Sequence, residues 1–255
     1  MIHPTAIVHS KALIGADCHI GPYCLIGEHV VLAERCRLHS HVVLEGHTTL
    51  GCDNEIYPFA SLGMKSQDLK WKGGVTRVQI GDRNVFREFV SVHSATSDGD
   101  ATRVGSDNYF LANTHLAHDV QVGNRIIMSN LATLAGHVIV EDHAIIGGLA
   151  AVHQFCRIGR YAMVGGCSKV VQDIAPYMMA DGNPTATRFV NKVGLERAGF
   201  SADTIGSLIK AYKIIFRMGL TLENALSRME SDLPTTPELK ELIQFVRTSQ
   251  RGLAR

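Results

Sequence analysis

A single apolar residue recurs at every sixth position of this chain. From the N-terminus it reads Ile2, Val8, Ile14, Ile20, Ile26, Leu32, Leu38, Leu44, Leu50, Ile56 and Leu62. The phase then breaks, returns as Ile80, Phe86 and Val92, breaks again, and runs at the same interval from Val104 to Val170. The residue two before is usually small, as at Ala6, Cys18, Cys36 and Ala132, and the residue after is often glycine, as at Gly15, Gly21 and Gly105. A period of six matches neither an amphipathic helix nor a half-buried strand. It is a hexapeptide repeat, which predicts a parallel β-helix. Each hexad supplies a short strand and a turn, with the large aliphatic and the small residue pointing inward. The glycine is expected at a corner, where positive φ costs it little. Three hexads, 18 residues, make one triangular coil, and coils stack at about 4.8 Å. The 26 ladder positions predict between eight and nine coils.

With 255 residues, 45% of them hydrophobic, the chain can build a large core. Its formal net charge of +1 gives no global reason to bind nucleic acid. There is no apolar run of transmembrane length, and Met1-Ile2-His3-Pro4 does not read as a signal peptide because the ladder begins at Ile2. A soluble cytoplasmic protein is expected. Of six cysteines, Cys18, Cys24, Cys36 and Cys156 occupy the small inward slot, and no CxxC occurs, so they read as core filler.

The ladder is interrupted twice. Residues 63–79 are a polar excursion carrying the only tryptophan, Trp71, and a long loop tied to a rigid solenoid favours function. Residues 95–102, Ala-Thr-Ser-Asp-Gly-Asp-Ala-Thr, read as a small flexible loop within reach of a neighbouring subunit. Residues 1–185 are thus assigned to the β-helix. Turn-rich sequence around Gly182-Asn183-Pro184 marks a boundary, and residues 186–255 are assigned to a C-terminal helical domain. There Ile205, Leu208, Ile209, Tyr212, Ile215 and Phe216 share one helix face behind Ser201 as N-cap. A second helix is predicted from about Thr221 to Met229, and a third from Thr236-Pro237-Glu238. This tail holds 11 Lys and Arg against 7 Asp and Glu, a basic surface suited to an acidic partner. The open ends and flat faces of a solenoid favour capping and association, here as a homotrimer with parallel axes.

The chemistry concentrates at Asn113-Thr114-His115-Leu116-Ala117-His118-Asp119. His115 and His118 flank a ladder residue and lie outside the inward slots. Gly136 lies 18 residues after His118 and Gln154 lies 36 after it, so the coil period stacks His118, Gly136–His137 and Gln154 in one stripe. Histidine titrates near neutrality and suits a general base. Asp119 would orient the imidazole, and an N–H at Gly136 would stabilise an oxyanion. With no serine or cysteine nucleophile beside it, His118 would deprotonate a substrate hydroxyl that attacks an acyl donor directly. A metal site of His115, His118 and His137 competes with this reading.

Further motifs are Gln67-Asp68-Leu69-Lys70, Ile80-Gly81-Asp82-Arg83-Asn84, Gly123-Asn124-Arg125, Leu134-Ala135-Gly136-His137-Val138, Val152-His153-Gln154-Phe155-Cys156 and Arg251-Gly252-Leu253. Together, in this order, they resemble the UDP-N-acetylglucosamine acyltransferase family over essentially the whole chain. The resemblance implies a mostly β architecture, a left-handed parallel β-helix with a C-terminal α-helical domain, assembled as a homotrimer with active sites between subunits. It implies transfer of an (R)-3-hydroxyacyl chain from acyl carrier protein to the 3-hydroxyl of UDP-N-acetylglucosamine, the first step of lipid A biosynthesis, with no cofactor or metal. By position, His118 would be the base and Gly136 the oxyanion donor. Asp68, Lys70, His115, His137 and Gln154 would contact the sugar nucleotide or acyl chain, and Asn191 and Arg197 the nucleotide end. Gly166 falls where the family gauges acyl length, and its missing side chain implies a long chain. The sequence departs from the family pattern at Met64, Gly74 and Pro184, and at Glu196 and Ala198 beside Arg197.

Four alternatives remain at this point. A related enzyme acylates a 3-amino sugar, but carries an extra domain before its β-helix. A small acetyl-CoA-dependent acetyltransferase would leave the 63–79 loop and basic tail without purpose. A γ-type carbonic anhydrase is also a trimeric left-handed β-helix, with three histidines on zinc. A purely structural solenoid would predict no effect of His118→Ala.

Overall fold

The structure is a computed structural model describing residues 1–255. Residues up to Val170 form three parallel sheets that are the faces of a triangular prism. The first face runs from Ile7–Val8 to Lys169–Val170 in nine strands, and the second from Leu13–Ile14 to Arg157–Ile158 in eight. The third begins at His19–Ile20 and has ten strands, the last two being Met178–Gly182 and its antiparallel partner Thr185–Val190. Partners along the prism are mostly 18 residues apart, as Ile7 with Leu25 and His115 with Thr133. The expected number of coils is therefore met. The two interruptions show as longer steps: Ser61 pairs with Ser91, 30 residues on, and Ser91 with His115, 24 on.

The ladder residues fill the interior. Ile20, Leu44, Leu62, Leu116 and Val164 are at most 1% exposed, and Cys18, Cys24, Cys36 and Cys156 pack among them. Removing each such aliphatic side chain from water contributes about 1.5–3 kcal/mol. Burial pushes the Cys36 thiol up to about 11, which suits a core filler.

The glycines act differently from expectation. Gly15, Gly21 and Gly105 do not have positive φ. A Cβ on Gly15 would lie 2.6 Å from the Ala33 backbone, so glycine is needed there because the next coil passes too close. The left-handed corner residue comes two positions later and is never glycine in the regular coils. Asp17, Arg35, Asp53, Arg83, Asp107 and Arg125 occupy it along one ridge, with Arg35–Asp53 and Arg83–Asp107 pairing at 2.8 and 2.7 Å.

Both loops are shorter than the sequence suggests. Strand Ser61–Met64 runs past Gly63, and strand Arg77–Ile80 pairs along four residues with both His47–Leu50 and Ala101–Val104. Inter-strand pairing draws the loop ends into the sheets.

Four helices follow: α1 (Lys192–Arg197), α2 (Ala202–Phe216), α3 (Leu222–Asp232) and α4 (Pro237–Thr248). Ser201, Thr221 and Thr236 accept from the backbone N–H three residues on, as N-caps do. α3 extends three residues beyond its expected end. α1 and the hairpin before it escaped the sequence reading, and the expected boundary at 185/186 falls inside strand Thr185–Val190. The helices share a second apolar core around Tyr177, Leu208, Ile215, Leu242 and Phe245. Arg157 joins the two parts, donating to Thr248 Oγ1 at 2.9 Å and lying over the Phe245 ring. No helix is long and apolar enough to cross a membrane.

Candidate active site

The ridge between the first and second faces carries the site. Strand His115–Leu116 ends on the first face and strand Gln121–Val122 begins the second, so residues 117–120 form the turn between them. Asp119 and, one coil on, His137 adopt left-handed φ of 62° and 60°. Successive coils therefore place His118 over Gly136, and Asp119 beside His137 and Phe155.

His118 Nδ1 lies 2.8 Å from Asp119 Oδ2, with both side chains largely buried. The carboxylate fixes the proton on Nδ1 and leaves the Nε2 lone pair facing outward. Asp68 Oδ2 faces Nε2 at 4.0 Å. Asp68 is itself anchored, its Oδ1 accepting from the Lys70 N–H at 2.9 Å. The Lys70 side chain is exposed at the edge of the site.

Gly136 lies directly beneath the imidazole. A Cβ there would stand 2.3 Å from His118 Cε1, so the ring's position requires glycine. Its N–H donates to no backbone or side-chain acceptor in the chain. The sequence suggested an open approach at Gly136; packing adds that the residue is buried under His118.

His137 Nε2 lies 3.6 Å from Asp119 Oδ2, and its ring stacks on Phe155 at 4.7 Å. His115 sits on the first face with Nδ1 2.8 Å from Ser91 Oγ. Burial, then the neighbouring His93 and His118, push its pKa down to about 4, so it is neutral at pH 7. The competing metal set is thereby altered: the donors within 4.8 Å of one another are His118, Asp119 and His137. His115 is held away by its bond to Ser91.

Gln154 follows one coil beyond Gly136, exposed, its side chain without a partner. Asn191 and Arg197 are not gathered with His118. The Asn191 side chain is spent within the fold, donating to the Tyr161 carbonyl at 2.9 Å and capping α1 by accepting from the Gly194 N–H. Arg197 is exposed in the last turn of α1. Gly166 lies on the opposite edge of the first face, between the third and first sheets, and is exposed.

Two residues of the site escaped the sequence reading. Thr96 Oγ1 lies 3.0 Å from His118 Nδ1, and Ser66 Oγ lies 2.8 Å from Thr96 Oγ1. The 95–102 segment thus packs into the site rather than extending as a free loop; Ala95 is fully buried. The only available signal was that both interruptions precede the His118 coil. A concavity of about 880 Å³ lies elsewhere, along Gly105, Gly123 and Asn124. A hollow of about 370 Å³ adjoins the site through His137 and Phe155 and reaches Thr248 at the end of α4.

Comparison with known proteins bears on the family and the fold. Residues 173–254 match the model described as UDP N-acetylglucosamine O-acyltransferase, domain 2, and residues 1–46 match the bacterial transferase hexapeptide model. The structure of LpxA from Acinetobacter baumannii is 45% identical with a TM-score of 0.97, covering 100% of this chain and 99% of that one. LpxA from Bacteroides fragilis, a UDP-N-acetylglucosamine acyltransferase, is 38% identical with a TM-score of 0.98, each chain covered fully. UDP-N-acetylglucosamine O-acyltransferase from Moraxella catarrhalis is 43% identical with a TM-score of 0.94, covering 100% and 99%. The fold is thus the left-handed parallel β-helix with a helical C-terminal part. Identity at this level across the full length of both chains means that this protein belongs to the UDP-N-acetylglucosamine acyltransferase family.

Proposed function

We propose that this protein transfers an (R)-3-hydroxyacyl chain from acyl carrier protein to the 3-hydroxyl of UDP-N-acetylglucosamine, the first step of lipid A biosynthesis, in the cytoplasm. The observation that carries the mechanism is the 2.8 Å His118–Asp119 pair, with Nε2 turned towards Asp68. Nε2 takes the proton of the sugar hydroxyl as its oxygen attacks the thioester carbonyl. The unpaired Gly136 N–H meets the oxyanion, a donor worth roughly 3–4 kcal/mol where such sites have been dissected. Collapse expels the carrier's thiolate, which takes the proton back from the His118 imidazolium. Asp119 holds the imidazolium in place throughout.

The substrate contacts follow the family positions. Asp68, Lys70, His115, His137 and Gln154 bind the sugar nucleotide or acyl chain, and Arg197 the nucleotide end. Asn191 joins them only if its capping bonds open. Gly166 gauges the acyl chain and leaves room for a long one.

A homotrimer with sites between subunits brings the Gly166 edge of one chain to the His118 edge of the next. Two features support it. Leu69, beside Asp68, is wholly exposed, and the Gly166 edge carries the exposed apolar pairs Phe59–Phe89 and Leu131–Leu149, with Asn113 between them. The acidic carrier protein meets the helical part, where Arg197, Lys210, Lys213 and Lys240 carry no ion pair.

The test is transfer from 3-hydroxyacyl carrier protein to UDP-N-acetylglucosamine, with the acylated position read by NMR. Acylation of a 3-amino analogue but not of the 3-hydroxyl would sink the O-acyl reading. Stoichiometric zinc required for activity would replace it with metal chemistry at His118, Asp119 and His137.

A further inference from the structure

Two hydroxyls from outside the repeat connect to the His118 imidazole, Thr96 directly and Ser66 through Thr96. Thr96 Oγ1 lies 3.0 Å from Nδ1, and Ser66 Oγ, 2.8 Å further on, accepts the Asp68 N–H at 3.1 Å. The path leaves one ring nitrogen, crosses both loops, and ends at the residue whose carboxylate faces the other nitrogen. Thr96 also steadies the partner carboxylate, its backbone N–H lying 3.3 and 3.2 Å from the two Asp119 oxygens. Ser66 is only 5% exposed and Thr96 is half-buried, so the Ser66 end of this path is shielded from competing water.

We propose that Thr96 is a positioning residue for His118, and that Ser66 couples it to the loop carrying Asp68. The proposal rests on His118 acting as the base. A neutral imidazole has one N–H. Asp119 Oδ2 accepts it at 2.8 Å and Thr96 Oγ1 shares it. With Nδ1 protonated, Thr96 does not donate to it, and its own hydrogen passes to Ser66 Oγ. Asp119 fixes the tautomer; the second acceptor, from a different segment, fixes the ring's rotation. The spacing between Asp68 and Nε2 is then set by a hydrogen-bonded path and not by the coil stack. Asp68 and the base are held as one unit for the sugar hydroxyl that must lie between them.

Three variants test this. Thr96→Val removes the hydroxyl and keeps the β-branch, Thr96→Ser keeps the hydroxyl, and Ser66→Ala breaks the link to Asp68. In Thr96→Val, kcat is expected to fall about 10- to 100-fold, the cost of a misplaced catalytic group. KM for the sugar nucleotide should stay within about twofold, the pattern of a lost transition-state interaction. Thr96→Ser should restore kcat. The His118 ring ¹⁵N signals, a single Nδ1–H tautomer in the wild type, should broaden by exchange in Thr96→Val and remain sharp in Thr96→Ser. Ser66→Ala should lower kcat less than Thr96→Val and add nothing in the Thr96→Val background. Unchanged ring signals and kcat in Thr96→Val would overturn the positioning role. A Ser66→Ala effect that adds fully to Thr96→Val would overturn the coupling. Should the wild type fail to transfer acyl groups, the functional reading falls, while the ring signals still decide the positioning.

Discussion

The ridge between the first and second faces carries histidine pairs at both ends, and they behave differently. Towards the N-terminus His29 and His47 stack flat, with ring centroids 4.2 Å apart and planes 3° apart. Neither ring has a hydrogen-bond partner, and the adjacent Glu28 is engaged by Lys11. Further along, His118 and His137 meet edge to face at 86°. The corners also differ, since Asp119 and His137 are left-handed while His29 and His47 are not. Beyond that, two interruptions fold over the second pair and bring Ser66, Asp68 and Thr96 against it, while Asp119 takes the corner. A repeat makes surface histidines common; acceptors on both sides of one ring set His118 apart as the proposed base.

The contrast can be broken most sharply at His118. His118→Ala should lower kcat by about 10²–10⁴, the usual contribution of a general base, with the denaturation midpoint unchanged. Retained kcat would make the second pair as inert as the first. Gly136→Ala comes next. Its Cβ, 2.3 Å from the ring, must displace His118, and a shift of about 1 Å costs up to about 10²-fold. A crystal structure with the ring unmoved, together with full activity, would contradict this.

His115 sharpens the comparison through pH. Its folded pKa of about 4 lies below the ordinary value of 6.5, so the unfolded chain binds the proton more readily. Stability is whole above pH 6.5, falls as pH drops towards 4, and levels off below that. After allowance for partial exposure the loss is on the order of 2 kcal/mol. Urea midpoints across this range should fall less in His115→Gln than in the wild type, the remainder coming in part from His93 and His143, which burial also pushes down. The smallest effect belongs to the bare end of the ridge. His29→Asn should alter stability by less than about 0.5 kcal/mol and leave turnover unchanged, read by melting and by the same transfer assay.

Much of this was legible beforehand. The inward slots of Cys18, Cys24 and Cys36 follow from the ladder, and the column of His118, Gly136 and Gln154 follows from a period of 18. Other features were hidden for identifiable reasons. The glycine after each ladder residue was misread because its neighbour is another coil, not its own turn. The left-handed corner is a cooperative property of stacked coils, and it overrides the local preference of Asp, Arg, Tyr and His. The resemblance gave Asn191 only a place at the nucleotide end; its bonds to the Gly194 N–H and to the Tyr161 carbonyl, 30 residues away, are visible only in the fold.

The sequence by itself determined the prism, its coil count and the stripe of residues along one ridge, because periodicity is local and repeats add linearly. Only the tertiary structure decided which histidine has acceptors on both sides. Ser66 and Thr96 are 30 residues apart and Thr96 and His118 are 22 apart, and both hydroxyls sit on excursions that leave the repeat and return to it. The closure of such loops depends on where their ends pair in the sheets, and no period in the chain encodes that.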